Sequence, residues 1–286
     1  MAKGMREIKR QIKSTQSMRQ ITKAMEMIAA SRLKKAQESA LASRPYADKM
    51  REVISSIAAG SRDIRHPMLQ VREVKKTAYL VISSDRGLAG GYNANLLRGI
   101  YQTIRSKHKS DSEYVLYVIG RKGRDFFRKR GMPIAGEITG LSDSPLFSDI
   151  KPIANAAVRL YEEGGCDELI LVYNRFISTL SQRPTQRRLL PLEMEEGGKT
   201  AASYEYEPSP EAVLEALLPR YAETLVYSAL LEAKAGEFAA RMNAMGNASK
   251  NATKRINVLT LQYNRARQAS ITQEISEIVG GANALM

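Results

Sequence analysis

Three stretches of this 286-residue chain have residue types and spacing that could carry chemistry or recognition. The first is Ser84-Asp85-Arg86-Gly87-Leu88-Ala89-Gly90-Gly91-Tyr92-Asn93, which follows an apolar β-type run and opens a helical one. A doubly wound fold places its phosphate loop there, with helix N-terminal amides facing the anion. The spacing is neither G-x-x-x-x-G-K-[ST] nor G-x-G-x-x-G, so a tight strand-to-helix turn is the plainer reading. The second is Gly120-Arg121-Lys122-Gly123, basic residues that could meet phosphate or simply lie in solvent. The third is a basic helical face: Lys9, Arg10, Lys13, Arg19, Lys23, Arg32, Lys34 and Lys35.

Other chemistry is poorly supplied. One cysteine, Cys166, leaves no disulfide framework and no Cys-based zinc site. His66 and His108 have no cluster around them, and Asp143, Asp149, Asp167 and Glu168 do not form a metal spacing. No nucleophile–base pair stands out. The sequence therefore assigns no catalytic, cofactor-binding or metal-binding residue. Lys plus Arg exceed Asp plus Glu by 44 to 30, a net charge of +14. Residues 1–60 hold 13 cations and 5 acids, or +8; residues 210–286 hold 8 and 7, or +1. Such basicity calls for an anionic partner. Nucleic acid is disfavoured, because the basic helix is paired and lacks interleaved aromatics or a known motif. No apolar run approaches the roughly 20 residues of a membrane span, and the basic N-terminus lacks the apolar stretch of a secretory signal. The expectation is a cytoplasmic protein without processing.

These residues need elements to hold them. Residues 4–60 are rich in helix formers, with Pro45 as the one expected bend. Ile8, Ile12, Met18, Ile21, Met25 and Ile28 read as one apolar stripe, extended by Leu33, Ala36, Ala40, Val53 and Ile57. After Pro208, Ser209 and Pro210, a 3/4 alternation runs without a slip through Ser228, Leu231, Ala235, Phe238, Met242, Met245, Ser249, Ala252, Ile256, Leu259, Tyr263 and Ala266. That is a coiled-coil seam rich in small residues. Two long helices that enter and leave the same middle segment must pair antiparallel. A helix of about 75 residues would be about 110 Å long, against a radius of gyration of about 19 Å for a compact globule of this size. The coil is therefore expected to project. Beyond Ala266 the seam turns polar, and Ile271, Ile275, Ile278, Val279, Leu285 and Met286 leave an apolar tip that calls for a partner.

The middle changes period. Ala78–Ser83, Tyr114–Ile119 and Glu168–Phe176 are short β-rich runs, with helical stretches at 92–107, 122–130 and 148–163 between them. Arg187–Leu192 reads as an antiparallel edge strand. The fold class is α/β: a long antiparallel coiled coil (1–60 and 210–286) around a Rossmann-like α/β domain (74–207) with a largely parallel sheet.

The chain resembles the γ subunits of F-type ATP synthases over essentially its whole length. Ile21-Thr22-Lys23-Ala24-Met25-Glu26-Met27-Ile28-Ala29-Ala30-Ser31, Ser83 through Asn93, Tyr204-Glu205-Tyr206-Glu207-Pro208 and, most specifically, Arg267 through Ala282 carry the resemblance. It implies a central-stalk rotor subunit with no catalytic residues of its own. Its implied partners are the α and β subunits of the catalytic head, the ε subunit and the c-ring of the membrane sector. It further implies β-subunit catch contacts at Arg86, Arg267 and Gln268, and a shaft tip at Ile271, Ile275, Ile278 and Val279 in an apolar collar. Shaft contacts to β would come from Lys23 and Met27, and c-ring or ε contacts from Tyr204, Glu205, Tyr206 and Glu207. The chloroplast members' inserted Cys pair is missing, so thiol regulation is not expected. With no transit peptide, the expected location is peripheral, at the cytoplasmic face of a bacterial plasma membrane. Two alternatives stay open: a nucleotide-binding α/β protein with a coiled-coil arm, and a basic coiled coil on nucleic acid, the latter marked by salt-sensitive duplex affinity.

Overall fold

Two six-residue runs, Thr77–Ile82 (β1) and Tyr114–Ile119 (β2), almost wholly apolar, are buried along their whole length and form the centre of a sheet. The computed structural model describes residues 4–60, 66–192 and 206–284. In chain order the elements are α1 (Met5–Gly60), β1, α2 (Tyr92–Lys107), β2, α3 (Arg121–Arg128), β3 (Ile134–Ile138), α4 (Phe147–Glu162), β4 (Glu168–Phe176), β5 (Gln182–Leu190) and α5 (Pro210–Ala284). The strand order is β3-β2-β1-β4-β5. β1, β2, β3 and β4 run parallel, and β5 is the antiparallel edge. Alternate residues divide the core, as the period of two requires. Tyr79 and Val81 face α2 and α3 with Leu96, Ile100 and Phe127. Ala78, Leu80 and Ile82 face the other way, onto α4 and onto parts of α1 and α5 through Ile54, Ile57, Leu218 and Val226.

Two strand expectations need amendment. β3 went unseen: Ile-Ala-Gly-Glu-Ile contains a glycine and an acid, and none of its residues is fully buried. An edge position tolerates such a run because only one side must be paired. β5 begins at Gln182 rather than Arg187, since its leading residues are polar and include Pro184, which an edge also accepts. The helical expectations agree with α2, α3 and α4 to within two residues. α1 continues through Pro45. Ser209 caps α5, its Oγ accepting from the Ala212 amide at 3.3 Å.

The structure forms two compact units. One holds residues 29–241, the sheet together with the adjoining stretches of both long helices. There the helices are antiparallel. The Thr224 hydroxyl donates to the sulfur of Met50, while further along, Arg32 and Arg241 are drawn to the same group of loops through Asp143, Arg86 and Gly87. The other unit holds the remaining stretches, residues 4–28 and 242–284.

Burial along the helices corrects one stripe and matches the other. On α1, Ile8, Leu33, Ala36 and Ile57 of the expected stripe are buried and Ile12, Met25, Ala40 and Val53 half-buried, but Met18, Ile21 and Ile28 are exposed, and Thr22, Ala29, Met50 and Ile54 join the buried row. The bulky residues misled the reading, because small Thr22 and Ala29 are what lets a second helix approach. On α5, each seam position from Ser228 to Ala266 is buried or half-buried.

Candidate functional site

The loop after β1 is built from its own side chains. Asn93 accepts from the Ser84 amide at 3.1 Å and donates to Ser84 Oγ at 2.7 Å, and that hydroxyl donates to the Arg86 carbonyl at 2.7 Å. Asp85 Oδ1 accepts from the Arg121 amide at 3.0 Å and the Gly140 amide at 2.9 Å, tying together the loops that follow β1, β2 and β3. Buried Ser83 Oγ accepts from the Gly123 amide at 2.8 Å. Gly120, at φ 98°, packs so closely on Ser83 that an added Cβ would lie 2.3 Å from its carbonyl oxygen. Leu88 is a non-glycine residue at φ 60° with its side chain in solvent, a strained conformation of the kind concentrated at binding sites.

The same loop rests on α5. Tyr92 Oη donates to the Ala233 carbonyl at 2.6 Å, and burial drives the phenol far above its ordinary pKa, with the Glu237 charge adding to the rise. The Arg241 guanidinium donates to the Gly87 carbonyl at 3.2 Å and to Glu237 Oε1 at 2.8 Å. Lys234 lies 3.8 Å from the other Glu237 oxygen. Gly236 lets α5 approach Tyr92, Gln182 and the Asn174 carbonyl within van der Waals range. The strand order reverses between β1 and β4, where a doubly wound sheet opens its ligand crevice. Here residues 233–241 of α5 occupy that place. A nearby cavity lined by Leu171, Tyr173, Arg187 and Glu232 measures about 70 Å³, well below the roughly 300–1,000 Å³ of small-molecule sites.

Arg86 is therefore fixed by its backbone, and its tip reaches toward solvent and Asp143. Its side chain is 69% exposed, with Nη1 4.0 Å from Asp143 Oδ2, while Arg32 holds the same carboxylate at 2.6 Å. Sequence reading weighed Asp143 only as a metal ligand, and it missed Lys234, Glu237 and Arg241. The spacing of the last three, i, i+3 and i+7 on a helix otherwise turned inward, was the available signal. Arg267 and Gln268 are exposed on α5. Ile271, Ile275, Ile278 and Val279 follow, all exposed, Ile278 at 72%. Lys23 is exposed and pairs with Glu26 at 3.2 Å, and Met27 is exposed beside it. Tyr206 turns its hydroxyl onto Ser56 at 3.1 Å, and Glu207 is exposed. Tyr204, Glu205, Leu285 and Met286 lie outside the described residues. Among the described residues no group of His, Cys, Asp and Glu could hold a metal ion, and no helix is long and apolar enough to cross a membrane.

An α/β domain whose ligand crevice is filled by its own long helix, with arginines and apolar helix positions turned outward, has the features of a subunit that works through partner contacts. Residues 4–285 match the ATP synthase family that includes γ chains. The ATP synthase gamma chain of Brevibacillus brevis is 65% identical over 285 residues, 99% of each chain. A chain from the central stalk and c-ring of the Tetrahymena thermophila mitochondrial ATP synthase is 28% identical, with a TM-score of 0.59 over 80% of this chain and 99% of that one. A rotor chain of the Euglena gracilis mitochondrial enzyme shares the fold at 18% identity, with a TM-score of 0.67 over 93% and 98%. The chain belongs to the γ-chain family of ATP synthases.

Proposed function

We propose that the chain is the central-stalk rotor subunit of a proton-translocating F-type ATP synthase, coupling rotation of the c-ring to conformational cycling of the catalytic β subunits. It regulates ATPase activity and proton flow by its own position, and the nucleotide chemistry belongs to β. The observation that carries this reading is the 65% identity to a γ chain across 99% of both chains. The proposed partners are α, β, ε and the c-ring, with the subunit peripheral at the cytoplasmic face of a bacterial plasma membrane. The long helices at 1–60 and 210–286 serve as the shaft and 74–207 as the foot.

Within that reading, Arg86, Arg267 and Gln268 catch acidic loops of β. Arginine suits bidentate carboxylate pairing, and exposed pairs of about 1 kcal/mol or less would hold without stalling rotation. Lys23 and Met27 add shaft contacts to β. Ile271, Ile275, Ile278 and Val279 turn in an apolar collar, and Tyr204, Glu205, Tyr206 and Glu207 meet the c-ring or ε. Affinity purification in mild detergent tests the assignment: α, β, ε and the c-ring should co-purify, and their absence would refute it. The open exposure of the Arg86 guanidinium supports the catch, and wild-type turnover and pumping in an Arg86, Arg267 and Gln268 triple alanine variant would exclude it. The nucleotide-binding alternative is weakened by α5 lying across the switch-point crevice; saturable nucleotide binding by the isolated chain would revive it.

A further inference from the structure

The net charge conceals a second basic face, separate from that of α1. Residues 92–130 carry ten Lys and Arg against three acids, or +7, so the rest of the segment between 61 and 209 is net −2. On the outer side of α2 and α3 these cations are organised. Tyr101 and Phe126 meet edge-on with ring centres 6.1 Å apart. The Arg130 guanidinium lies 3.6 Å above Phe126 and 5.4 Å from Tyr101, and Arg105 lies 5.6 Å from Tyr101. Arg130 Nη1 also donates to the Phe126 carbonyl at 3.0 Å. Both guanidiniums are thus held against a ring platform, which lowers the entropy lost when they take a ligand. Arg124 and Arg128 are neutralised by Asp125 and Glu137. Arg98, Arg105, Lys129 and Arg130 are exposed, and none of them makes an ion pair among the described residues.

We infer that this face of α2 and α3 is a docking surface for the acidic surface of a neighbouring protein subunit, whose carboxylates pair with Arg98, Arg105, Lys129 and Arg130. The inference rests on the proposed place of the chain in a multisubunit complex. A lipid surface fits less well, because no large apolar side chain of α2 or α3 is exposed to enter a headgroup layer. Nucleic acid fits less well too, since arginines already occupy the ring faces on which bases would stack.

Zero-length carbodiimide cross-linking of the purified complex tests the surface, because it joins Lys129 only to a carboxylate in direct contact. The expected result is a cross-link from Lys129 to an Asp or Glu of another subunit, suppressed by high salt. In parallel, the isolated full-length chain is titrated with poly-L-glutamate. The Arg98→Glu, Lys129→Glu variant, which disturbs no contact of the fold described above, should bind about tenfold more weakly. An intact complex giving no intersubunit cross-link at Lys129, or poly-L-glutamate binding unchanged by the variant, would overturn the inference. So would variant-sensitive binding to phosphatidylglycerol vesicles or duplex DNA in place of poly-L-glutamate. If no other subunit co-purifies, the rotor assignment fails while the poly-L-glutamate titration still decides the face.

Discussion

The single helix α5 is two different objects along its length. From 221 to 241 it is buried on nearly every side, charged residues included. From 242 to 270 it buries one edge: Met245, Ala252 and Leu259 are fully covered, seven residues apart, with half-buried Met242, Ser249, Ile256 and Tyr263 alternating between them. The first stretch packs into the core of the sheet unit, while the second belongs to a unit of two helix segments. Helix propensity is similar in both. The difference shows that the number of faces a helix buries is set by what surrounds it, and that small residues such as Ala233, Gly236 and Ala239 make all-round burial possible.

Substitutions at matched positions probe that contrast. The largest effect is expected at Phe238, 1% exposed inside the first stretch. Phe238→Ala should cost about 3–5 kcal/mol. Leu259→Ala on the seam should cost nearer 2 kcal/mol, because a two-helix contact can close over part of the void. Urea titration of both variants would break the comparison if the seam change proved the costlier.

Charge gives the next test. Glu237, with its side chain 6% exposed, lies between Lys234 and Arg241. Glu237→Ala should cost about 3 kcal/mol by leaving buried cations uncompensated. Glu26→Ala, which removes the half-buried partner of exposed Lys23, should cost less than about 0.5 kcal/mol. Thermal unfolding at low and high salt would read both, with only the second difference vanishing in salt.

Glycine gives a smaller but signed test. An added Cβ at Gly236 would sit 3.3 Å from the Tyr92 ring and 3.6 Å from the Asn174 carbonyl, neighbours held by the fold. At Gly246 the neighbour, also at 3.3 Å, is the end of the Glu26 side chain, which can swing aside. Gly236→Ala should destabilise by about 1 kcal/mol, whereas Gly246→Ala should stabilise by roughly 0.5–1 kcal/mol through helix propensity. Equal signs in denaturant midpoints would remove the distinction.

The smallest effect on the isolated chain is expected at the tip. Ile275→Asp with Ile278→Asp should change its stability by less than about 0.5 kcal/mol, since both residues are exposed. If the apolar collar exists, the same pair should loosen the shaft in the assembled enzyme, because buried unpaired charge is costly. Unchanged assembly and coupling would dismiss the collar.

Legibility followed the same division. Strands β1 and β2, buried throughout, and the buried Leu169–Tyr173 stretch of β4 announced themselves as β-rich apolar runs, and the α5 seam did so by its heptads. β3 did not, because an edge strand with Gly136 and Glu137 needs little apolar character. The α1 stripe was misread at three positions, because Met18, Ile21 and Ile28 are apolar yet exposed, while Thr22 and Ala29 are modest in hydrophobicity yet covered. The loop from Ser84 to Asn93 was correctly read as a strand-to-helix turn. Its dependence on Asp85, Asp143 and Arg241 was not readable, since each contact joins residues more than 35 positions apart or on different elements.

Composition and periodicity by themselves determined two long helices, an alternating strand–helix middle and a basic chain with a single cysteine, because those properties are local in sequence. The placement of α5 in the crevice between β1 and β4 was decided only by tertiary structure. So were the seating of Arg105 and Arg130 on a Tyr101–Phe126 platform and the exposure of the Arg86 side chain. The physical reason is that each arises when distant segments compete for the same space: the sheet's empty switch point accepts a helix with small residues, and whatever charge finds no partner there is left facing outward.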